Sequence, residues 1–297
     1  MSTTVGIIGL GTMGSQAAAR LAEVGFNLVV YGRRPEQMAA HPTAASATSV
    51  ADLAGRSDII LAFLFNSQQV EDVALGEGGV ISAARPGTIF VNMSTISPVT
   101  TRKIAEHFAP KNIDVIGACM NGGPPVLRAG KLSLVVGGKE EVVEKCRPVL
   151  EALGEIRHMG DVGAGEMAKI VNQLILGNCI AANAEALVLG VKFGLDPDKL
   201  VDCVIDGVGF NHGMRKHYKQ HVLKGDFQEN LSSVDLMRKD LSLGFEVADE
   251  LKVPLTLSRV TDQMYQAARA AGRAANYHPV VVTILEDLCG VKIRSQT

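Results

Sequence analysis

Short apolar runs alternate with helix-like stretches through the first half of the chain. Runs of this kind, rich in β-branched residues and bounded by turn residues, are typical of buried strands. They predict strands over residues 5–8, 27–31, 58–65, 88–92, 113–116 and 132–136. Because strands joined by helices pack in layers, the pattern predicts a parallel, doubly wound α/β sheet.

Strand signals end after about residue 161, and the rest of the chain has a helical pattern. Apolar positions recur at helical spacing from about residue 165 to 193 and predict one long helix. We therefore predict a doubly wound domain at 1–162 and an all-helical domain at 163–297. The long helix, starting near residue 165, links them.

Polar residues mark the ends of the later helices. Asp196 caps a helix in which Pro197 takes the first position. The stretch Ser232-Ser-Val-Asp235 resembles a capping box with Asp in place of Glu, and it predicts a helix to about Leu251. Two further helices are predicted over residues 256–271 and 279–288, the second stopped by Gly290.

Composition argues against several classes of function. A net charge of −2 offers no electrostatic attraction to nucleic acid or to an anionic membrane. The five cysteines form no C-x-x-C pair, which predicts reduced thiols in a cytoplasmic protein rather than a disulfide framework or zinc site. The first strand begins so early that we expect no signal peptide.

The most apolar long stretch, residues 170 to 190, has the length of a membrane span. Five polar or charged side chains interrupt it: Asn172, Gln173, Asn178, Asn183 and Glu185. A membrane span would not carry that polar load, so we expect a buried helix and no membrane contact.

A glycine-rich motif follows the first predicted strand directly. The stretch Gly9-Leu10-Gly11-Thr12-Met13-Gly14 is a G-x-G-x-x-G that leads into a helix predicted over residues 15–24. In this motif the first glycine makes a tight turn, the second lets the backbone approach a pyrophosphate, and the third allows close helix–strand contact. The N–H groups of the first helical turn then face the anion. The motif predicts a dinucleotide cofactor.

The end of the second predicted strand indicates which dinucleotide. A site for NAD usually carries Asp or Glu here, to accept a hydrogen bond from the ribose 2′-hydroxyl. This chain has Gly32, followed by Arg33 and Arg34. A guanidinium suits a 2′-phosphate because its planar fork makes paired, charge-assisted hydrogen bonds. The sequence therefore predicts NADP(H), whereas an arginine pair in any other place would be read as solvated loop charge.

One lysine and two amides share a face of the predicted long helix. Asn172 and Gln173 follow Lys169 by three and four residues. A helical lysine taken alone is usually a solvated surface charge. With two amide side chains beside it and apolar residues on the other side of the helix, it has the parts needed for proton transfer.

Four blocks, in this order along the whole chain, resemble the β-hydroxyacid dehydrogenase family. The blocks are Gly9–Gly14; Asn121-Gly122-Gly123 with Ala129-Gly-Lys-Leu132; Gly163-Ala-Gly165-Glu-Met-Ala-Lys169-Ile-Val-Asn172-Gln173; and Lys239-Asp240-Leu241. This family includes 3-hydroxyisobutyrate dehydrogenases, 2-(hydroxymethyl)glutarate dehydrogenases and semialdehyde reductases. The resemblance implies a Rossmann-type doubly wound sheet plus an all-α C-terminal domain.

The resemblance also implies a reaction. An NADP-dependent enzyme of this family interconverts a small aldehyde, ketone or semialdehyde with its alcohol or hydroxy acid, and Lys169 matches the general acid and base. The implied substrate contacts are Asn121, Gly122, Gly123, Asn172, Gln173 and Lys239. The implied cofactor contacts beyond the glycine and arginine loops are Leu64, Phe65, Asn66, Thr95 and Lys239. We expect the active site in the cleft between the domains, and a homodimer or homotetramer.

The chain departs from the family pattern around the substrate. Gln173 replaces the second Asn of G-x-G-x-x-x-K-x-x-N-N and reaches one methylene further. The family's substrate loop is close to D-A-P-V-S-G-G, whereas residues 117–123 read G-A-C-M-N-G-G, with the Asn121 amide in place of a serine hydroxyl. Asn92 replaces the Asp of a D-x-S-T block. The substrate is therefore less determined than the reaction type.

Several residues have a structural reading beside the functional one. Arg128 is either an anion contact or a solvated charge, and Lys239 could instead pair with Asp240 or Asp235. His217 and His221 lie four residues apart, but no third ligand has suitable spacing and their neighbours are basic. We predict a solvated helix face there and no metal.

Two alternative functions stay open at the level of sequence. An imine reductase could use the same scaffold, although such enzymes usually carry Asp or Tyr where this chain has Lys169. A non-catalytic NADPH-binding protein is the other alternative, although it would need no proton donor beside the nicotinamide.

Overall fold

In the computed structural model, which describes residues 3–228 and 232–295, the chain divides into a first unit, Met1–Lys169, and a second unit, Ile170–Thr297. The strands of the first unit are β1 (Thr4–Ile8), β2 (Asn27–Tyr31), β3 (Ala45–Ser46), β4 (Ile59–Ala62), β5 (Ile89–Asn92), β6 (Asp114–Asn121), β7 (Leu132–Gly137) and β8 (Gly154–His158). They form one sheet in the order β3-β2-β1-β4-β5-β6-β7-β8. The strand order reverses between β1 and β4, which is where doubly wound sheets bind ligands.

Helices cover both faces of this sheet. They are α1 (Thr12–Val24), α2 (Pro35–Ala39), α3 (Val50–Arg56), α4 (Ser67–Leu75), α5 (Val80–Ala83), α6 (Pro98–Phe108), α7 (Pro124–Arg128), α8 (Glu140–Glu151) and the first turns of α9 (Ala164–Phe193). Alternate strand residues enter two separate cores, as Ile89 and Val91 do on one face and Phe90 on the other. Because both faces are buried, the strands read as continuous apolar runs.

One pair of strands departs from the predicted parallel arrangement. β7 runs antiparallel to β6, with Asn121 opposite Ser133. The connection over residues 122–131 is too short for a parallel crossover, which needs about a dozen residues or more. The prediction of parallel strands was therefore wrong at this pair, while the doubly wound α/β class is confirmed.

The two strands at the sheet edges were not predicted. β3 has two residues, both exposed, and β8 carries Glu155, Arg157 and His158 among its five residues. Edge strands often carry charged side chains, which discourage pairing with other molecules. A search for apolar runs misses such strands because only one side of each is covered.

The second unit is helical in its named elements. Beyond the continuation of α9, the helices are α10 (Pro197–Asp206), α11 (Val234–Glu250), α12 (Thr256–Ala270) and α13 (Val282–Cys289). A π-helical turn covers Met214–Tyr218, and 3₁₀ turns cover Val222–Lys224 and His278–Val281. A core that includes Tyr218, Leu241 and Tyr265 holds these helices together.

The helix-end signals were mostly read correctly. Asp196 accepts a hydrogen bond from the Lys199 N–H at 2.9 Å, which confirms the predicted cap of α10. The cap of α11 is Ser233, which accepts from the Leu236 N–H at 3.2 Å, rather than Ser232. The Ser232 carbonyl accepts from the His278 N–H at 3.0 Å, so the helix begins one residue later than predicted.

Helix α9 is long and apolar enough to cross a membrane by length and composition, and 44% of its most apolar window is buried. Core helices of soluble proteins pass the same test, so this single helix is weak support for a membrane span.

Candidate active site

The glycine loop has the geometry that its motif predicts. Gly9 has φ +91°, and a Cβ there would lie 2.1 Å from the Phe63 carbonyl oxygen. A Cβ at Gly14 would lie 2.0 Å from the Gly9 carbonyl oxygen, so only glycine lets α1 approach β1 this closely. A Cβ at Gly11 would meet nothing within 4 Å. Packing within the protein therefore does not explain why position 11 is a glycine.

This loop fits the diphosphate of a dinucleotide. Gly11 is the N-cap of α1 and has no side chain to cap the first N–H groups. Those N–H groups have no intrahelical acceptor, and the helix dipole makes this end attractive to an anion. Gly11, Thr12 and Met13 would hold the phosphates through backbone atoms.

The arginine loop after β2 is tied to the glycine loop by a residue that the sequence analysis missed. Gln37 Nε2 donates to the Leu10 carbonyl oxygen at 3.1 Å, and its Oε1 accepts from the Arg34 N–H at 3.2 Å. The Gln37 side chain also packs against Gly32, where a Cβ would meet it at 3.0–3.1 Å. The signal that could have found it is a Gln three residues after a helix cap.

The two arginines themselves are exposed. Arg34 Nε lies 3.6 Å from Glu36 Oε1, and both side chains are 70% exposed. This ion pair therefore contributes little to stability. Arg33 is exposed as well. Both arginine side chains therefore face solvent on the loop after β2.

The loops after β4 and β5 are joined by hydrogen bonds. The Leu64 N–H donates to Ser94 Oγ at 2.8 Å, and Ser94 Oγ donates to the Ala62 carbonyl oxygen at 3.2 Å. Asn66 caps α4, since its Oδ1 accepts from the Gln69 N–H at 2.9 Å. Phe65 is 56% exposed and Thr95 is partly buried.

The predicted proton donor is held by the substrate loop. Lys169 Nζ donates to Asn121 Oδ1 at 3.0 Å, and both side chains are partly buried. Lys169 lies in the second turn of α9, and Asn121 is the last residue of β6. Asn121 lies opposite Ser133 of β7, at the carboxyl end of β6. Two residues that are far apart in the sequence are therefore hydrogen-bonded to each other.

The rest of the substrate loop is stiff. Gly122 has φ +132°, and a Cβ there would come within 2.8 Å of Leu132. Gly123 is the N-cap of α7, and Pro124 and Pro125 take its first positions. The first N–H groups of a helix have no intrahelical acceptor. Proline lacks an N–H group, so prolines at these positions remove no hydrogen bond from α7.

The predicted substrate residues of the second unit are joined to one another by hydrogen bonds and an ion pair. Asn172 Nδ2 donates to Gln173 Oε1 at 3.1 Å, and Gln173 Nε2 donates to Asp240 Oδ2 at 2.7 Å. Lys239 Nζ lies 3.0 Å from Asp240 Oδ1, which is the ion pair considered as its structural alternative. Asp240 is 2% exposed and was missed as a site residue. Its position within Lys-Asp-Leu was the available signal.

Arg128 has a structural role in the first unit. It forms an ion pair with Glu23 of α1, and its Nη1 is buried. The Glu23 carboxylate supplies the anion that the sequence analysis had considered for a substrate. This ion pair joins α7, in the connection after β6, to α1.

The histidines of the second unit correct one prediction. His217 is 8% exposed, and its ring hydrogen-bonds to the Tyr277 hydroxyl and packs 5.0 Å from the ring of His278. Burial lowers the pKa of His217 to about 4, helped by the nearby charges of His212, His221 and Lys216. The prediction of a solvated face was wrong for His217, which is buried within a π-helical turn, whereas His221 is partly exposed beside Asp226. Residues 3–228 and 232–295 contain no cluster of His, Cys, Asp or Glu suited to a metal ion.

Comparison with known proteins defines the class. The family model for the NAD binding domain of 6-phosphogluconate dehydrogenase matches residues 4–170. A second, described as the NAD-binding region of NADP-dependent 3-hydroxyisobutyrate dehydrogenase, matches residues 163–285. The two matches cover most of the chain and agree with the glycine loop described above.

Individual relatives extend over the full length. The chain is 38% identical over 295 residues to 2-(hydroxymethyl)glutarate dehydrogenase of Eubacterium barkeri, covering 98% of each chain. It is 35% identical over 292 residues to L-threonate dehydrogenase of Cupriavidus necator, covering 97% of this chain and 98% of the other. The solved structure of 3-hydroxyisobutyrate dehydrogenase of Mycobacterium tuberculosis with L-serine superposes with a TM-score of 0.87 at 27% identity, covering 96% and 99%.

The fold, the glycine loop and these relatives define an NAD(P)-dependent oxidoreductase that acts on the CH–OH group of hydroxy acids. The chain belongs to the β-hydroxyacid dehydrogenase family. The resemblance seen in the four sequence blocks is thereby confirmed.

Proposed function

We propose that this protein is an NADP-dependent dehydrogenase or reductase that interconverts a small semialdehyde, aldehyde or ketone with its hydroxy acid or alcohol. Lys169 is the general acid and base. The observation that carries the proposal is the hydrogen bond from Lys169 Nζ to Asn121 Oδ1, because it orients an ammonium at the carboxyl edge of a dinucleotide-binding sheet. When bound, the nicotinamide supplies or accepts the hydride.

The residues of the chain supply the remaining steps. In reduction, Lys169 gives a proton from Nζ to the carbonyl oxygen as that carbon gains the hydride, and the product is an alcohol. In oxidation, Lys169 takes the hydroxyl proton as the carbon loses the hydride. We propose that Gly122 and Gly123 hold a substrate carboxylate through their N–H groups, and that Asn172, Gln173 and Lys239 contact the substrate.

Arg33 and Arg34 support NADP(H) as the preferred cofactor. They replace the acidic residue that would bind a ribose 2′-hydroxyl, and their exposed guanidiniums can pair with a 2′-phosphate. Gly32, Leu64, Phe65, Asn66 and Thr95 are proposed as further cofactor contacts. The proposed setting is a cytoplasmic homodimer or homotetramer.

The deciding experiment is a substrate panel with the purified protein. NADP⁺ reduction is measured with 2-(hydroxymethyl)glutarate, L-threonate and 3-hydroxyisobutyrate, and NADPH oxidation with semialdehydes and one cyclic imine. We expect turnover with at least one hydroxy acid and its carbonyl product, and a loss of several orders of magnitude in Lys169→Ala with NADPH binding retained. Turnover of the imine alone would favour an imine reductase, and no turnover with NADPH bound would favour a binding protein.

A further inference from the structure

One carboxyl group of the first unit is fully enclosed and takes no part in the chemistry above. Glu166 is 0% exposed and lies in the first turn of α9, three residues before Lys169. Its Oε1 accepts from Asn92 Nδ2 at 2.8 Å and from Thr101 Oγ1 at 2.7 Å. Three elements, β5, α6 and α9, therefore meet at this one oxygen.

Gly117 makes room for this carboxyl group. A Cβ at residue 117 would lie 2.2 Å from Glu166 Oε1 and 2.3 Å from Oε2. The glycine is part of β6 and has no positive φ, so its conformation does not require glycine, and the nearest obstacle to a side chain is the Glu166 carboxyl group. A Cβ at position 117 would force that carboxyl group to move.

Asn92 and Gly117 are paired on the neighbouring strands β5 and β6. Neither position carries a carboxyl group, and Glu166 brings one from the helix against both of them. The three residues form one packed unit.

The unit continues toward the cofactor edge of the sheet. Asn92 Oδ1 accepts from the Ser94 N–H at 3.0 Å, and Asn92 Nδ2 donates to the Ser94 carbonyl oxygen at 3.1 Å as well as to Glu166. Ser94 Oγ in turn accepts from the Leu64 N–H. An unbroken chain of hydrogen bonds therefore joins the first turn of α9 to the loops after β5 and β4.

We propose that Glu166 is a positioning residue for hydride transfer, whose carboxyl group fixes the Asn92–Thr95 loop against the first turn of the helix that carries Lys169. The loop and the proton donor then keep a constant relation during the reaction. This inference rests on the proposed role of Lys169. The two hydrogen bonds to Oε1 lie in the buried interior, where such bonds are strong and restrain the loop, whereas Oε2 is buried with no hydrogen-bond partner among the described residues.

Burial is the largest influence on the pKa of Glu166. Burial raises the pKa of this carboxyl group, against the opposing effect of the Asn92 and Thr101 hydrogen bonds and of the Arg102 charge on α6. A glutamine side chain keeps a carbonyl oxygen that can accept from the same two donors. Glutamine is therefore the conservative replacement, and alanine is the disruptive one.

The test is a set of variants at positions 166 and 117. We expect Glu166→Gln to keep kcat within about threefold, because the amide oxygen still accepts both hydrogen bonds. Glu166→Ala should lose about 10- to 100-fold in kcat, with the NADPH Kd changed by less than about threefold, because small displacements near the reacting atoms are costly. Gly117→Ala should match Glu166→Ala, since a Cβ would expel the carboxyl group.

The double variant separates this proposal from a local packing effect. If Gly117 serves to admit Glu166, adding Gly117→Ala to Glu166→Ala should lower kcat by no more than about twofold further, because the two changes remove the same contact. The matched control is Gly55→Ala, where a Cβ would meet its nearest atom at 3.7 Å. A further loss in the double variant as large as that of Gly117→Ala alone would overturn the proposal.

The readout must exclude a merely structural role. Rates are referred to the concentration of NADPH-binding sites and measured well below each Tm. NADPH deuterated at the transferred position should show a larger isotope effect on kcat in Glu166→Ala, because hydride transfer becomes slower than product release. A lowered Tm with kcat per site and isotope effect unchanged would assign Glu166 to stability alone.

A charge exchange tests the proposal if the alanine variants do not fold. Asn92→Asp alone places two carboxyl groups in contact and should lower kcat. Asn92→Asp with Glu166→Gln restores an acid–amide pair and should recover kcat to within about fivefold of the unmodified protein. No recovery in a folded double variant would count against the proposal. Normal turnover of Lys169→Ala would instead overturn the proposed function.

Discussion

Lys169 Nζ donates a hydrogen bond to Asn121 Oδ1 at 3.0 Å, although 48 positions separate the two residues along the chain. An ammonium group can only donate, so the amide oxygen of Asn121 must face the lysine. The amide NH₂ of Asn121 is left for a different acceptor. In the proposed function, Asn121 would therefore orient Lys169 and offer an N–H donor of its own to a substrate oxygen.

Removing the Asn121 amide should slow the reaction more than it weakens cofactor binding. We expect Asn121→Ala to lower kcat by about 10- to 100-fold, because Lys169 loses its orienting acceptor. Asn121→Ser should recover part of the loss, since a hydroxyl can also accept. Steady-state kinetics with a separate NADPH titration would measure both effects. An unchanged kcat in Asn121→Ala would show that the contact has no part in turnover.

The arginine loop should decide between the two dinucleotides. We expect the unmodified protein to bind NADPH more tightly than NADH, and Arg33→Ala or Arg34→Ala to reduce that ratio by about tenfold or more, the scale of a lost charge-assisted contact. Fluorescence titration with both cofactors gives the ratio directly. Equal affinities in the unmodified protein would contradict the assignment to NADP.

Gln37 should act on the same ratio without touching the phosphate. Its side chain joins the Leu10 carbonyl oxygen to the Arg34 N–H, so Gln37→Ala should let the arginine loop move. We expect about a threefold to tenfold weaker NADPH affinity and a smaller change for NADH, the scale of one or two lost hydrogen bonds. Gln68→Ala, whose side chain contacts Asp72 on the exposed face of α4, is the matched control. An equal loss for both cofactors would instead assign Gln37 to the glycine loop alone.

Acid should destabilise the second unit through His217. Its pKa is about 4 in the folded protein and 6.5 when unperturbed, so the unfolded chain binds the extra proton first as pH falls. The contribution of neutral His217 to the free energy of unfolding is therefore complete above pH 6.5. This contribution falls by about 3 kcal/mol as pH drops from 6.5 to 4. Urea denaturation of the unmodified protein and His217→Gln, at several pH values, would measure this term.

His217→Gln should show a smaller fall in stability over that pH range. His107→Gln, at an exposed position on α6, serves as the control and should follow the unmodified protein. Parallel curves for His217→Gln and the unmodified protein would show that this histidine does not account for the acid sensitivity.

Exposed apolar side chains of the second unit predict self-association. Leu189 and Phe193 near the end of α9 are 72% and 84% exposed, and Leu257 and Val260 on α12 are 65% and 58% exposed. Exposed apolar side chains mark an interface where they form a contiguous patch, and self-association of this unit would cover them. Light scattering should give two or four times the chain mass of 31.4 kDa, and Leu189→Glu should lower that value. A mass of one chain would contradict the proposed oligomer.

Local patterns were sufficient for most of the fold and for part of the site. The apolar runs, the G-x-G-x-x-G and the Asp196-Pro197 cap depend on neighbours in the chain, and their elements were placed to within a few residues. The antiparallel direction of β7 and the charged edge strand β8 were missed because partner strands and exposure are not local properties. Gln37 and Asp240 were missed for the same reason, since their partners are distant in sequence.

The sequence by itself determined the class of the protein, because its glycine loop and the blocks that resemble the family depend on residue type and local spacing. The tertiary structure decided what those residues contact. Asn121 is a partner of Lys169 only because β6 ends beside α9, and Gly117 is explained only by a carboxyl group 49 positions later. The type of a side chain determines which chemistry it can perform, whereas its contacts depend on the packing of segments that are distant in the sequence.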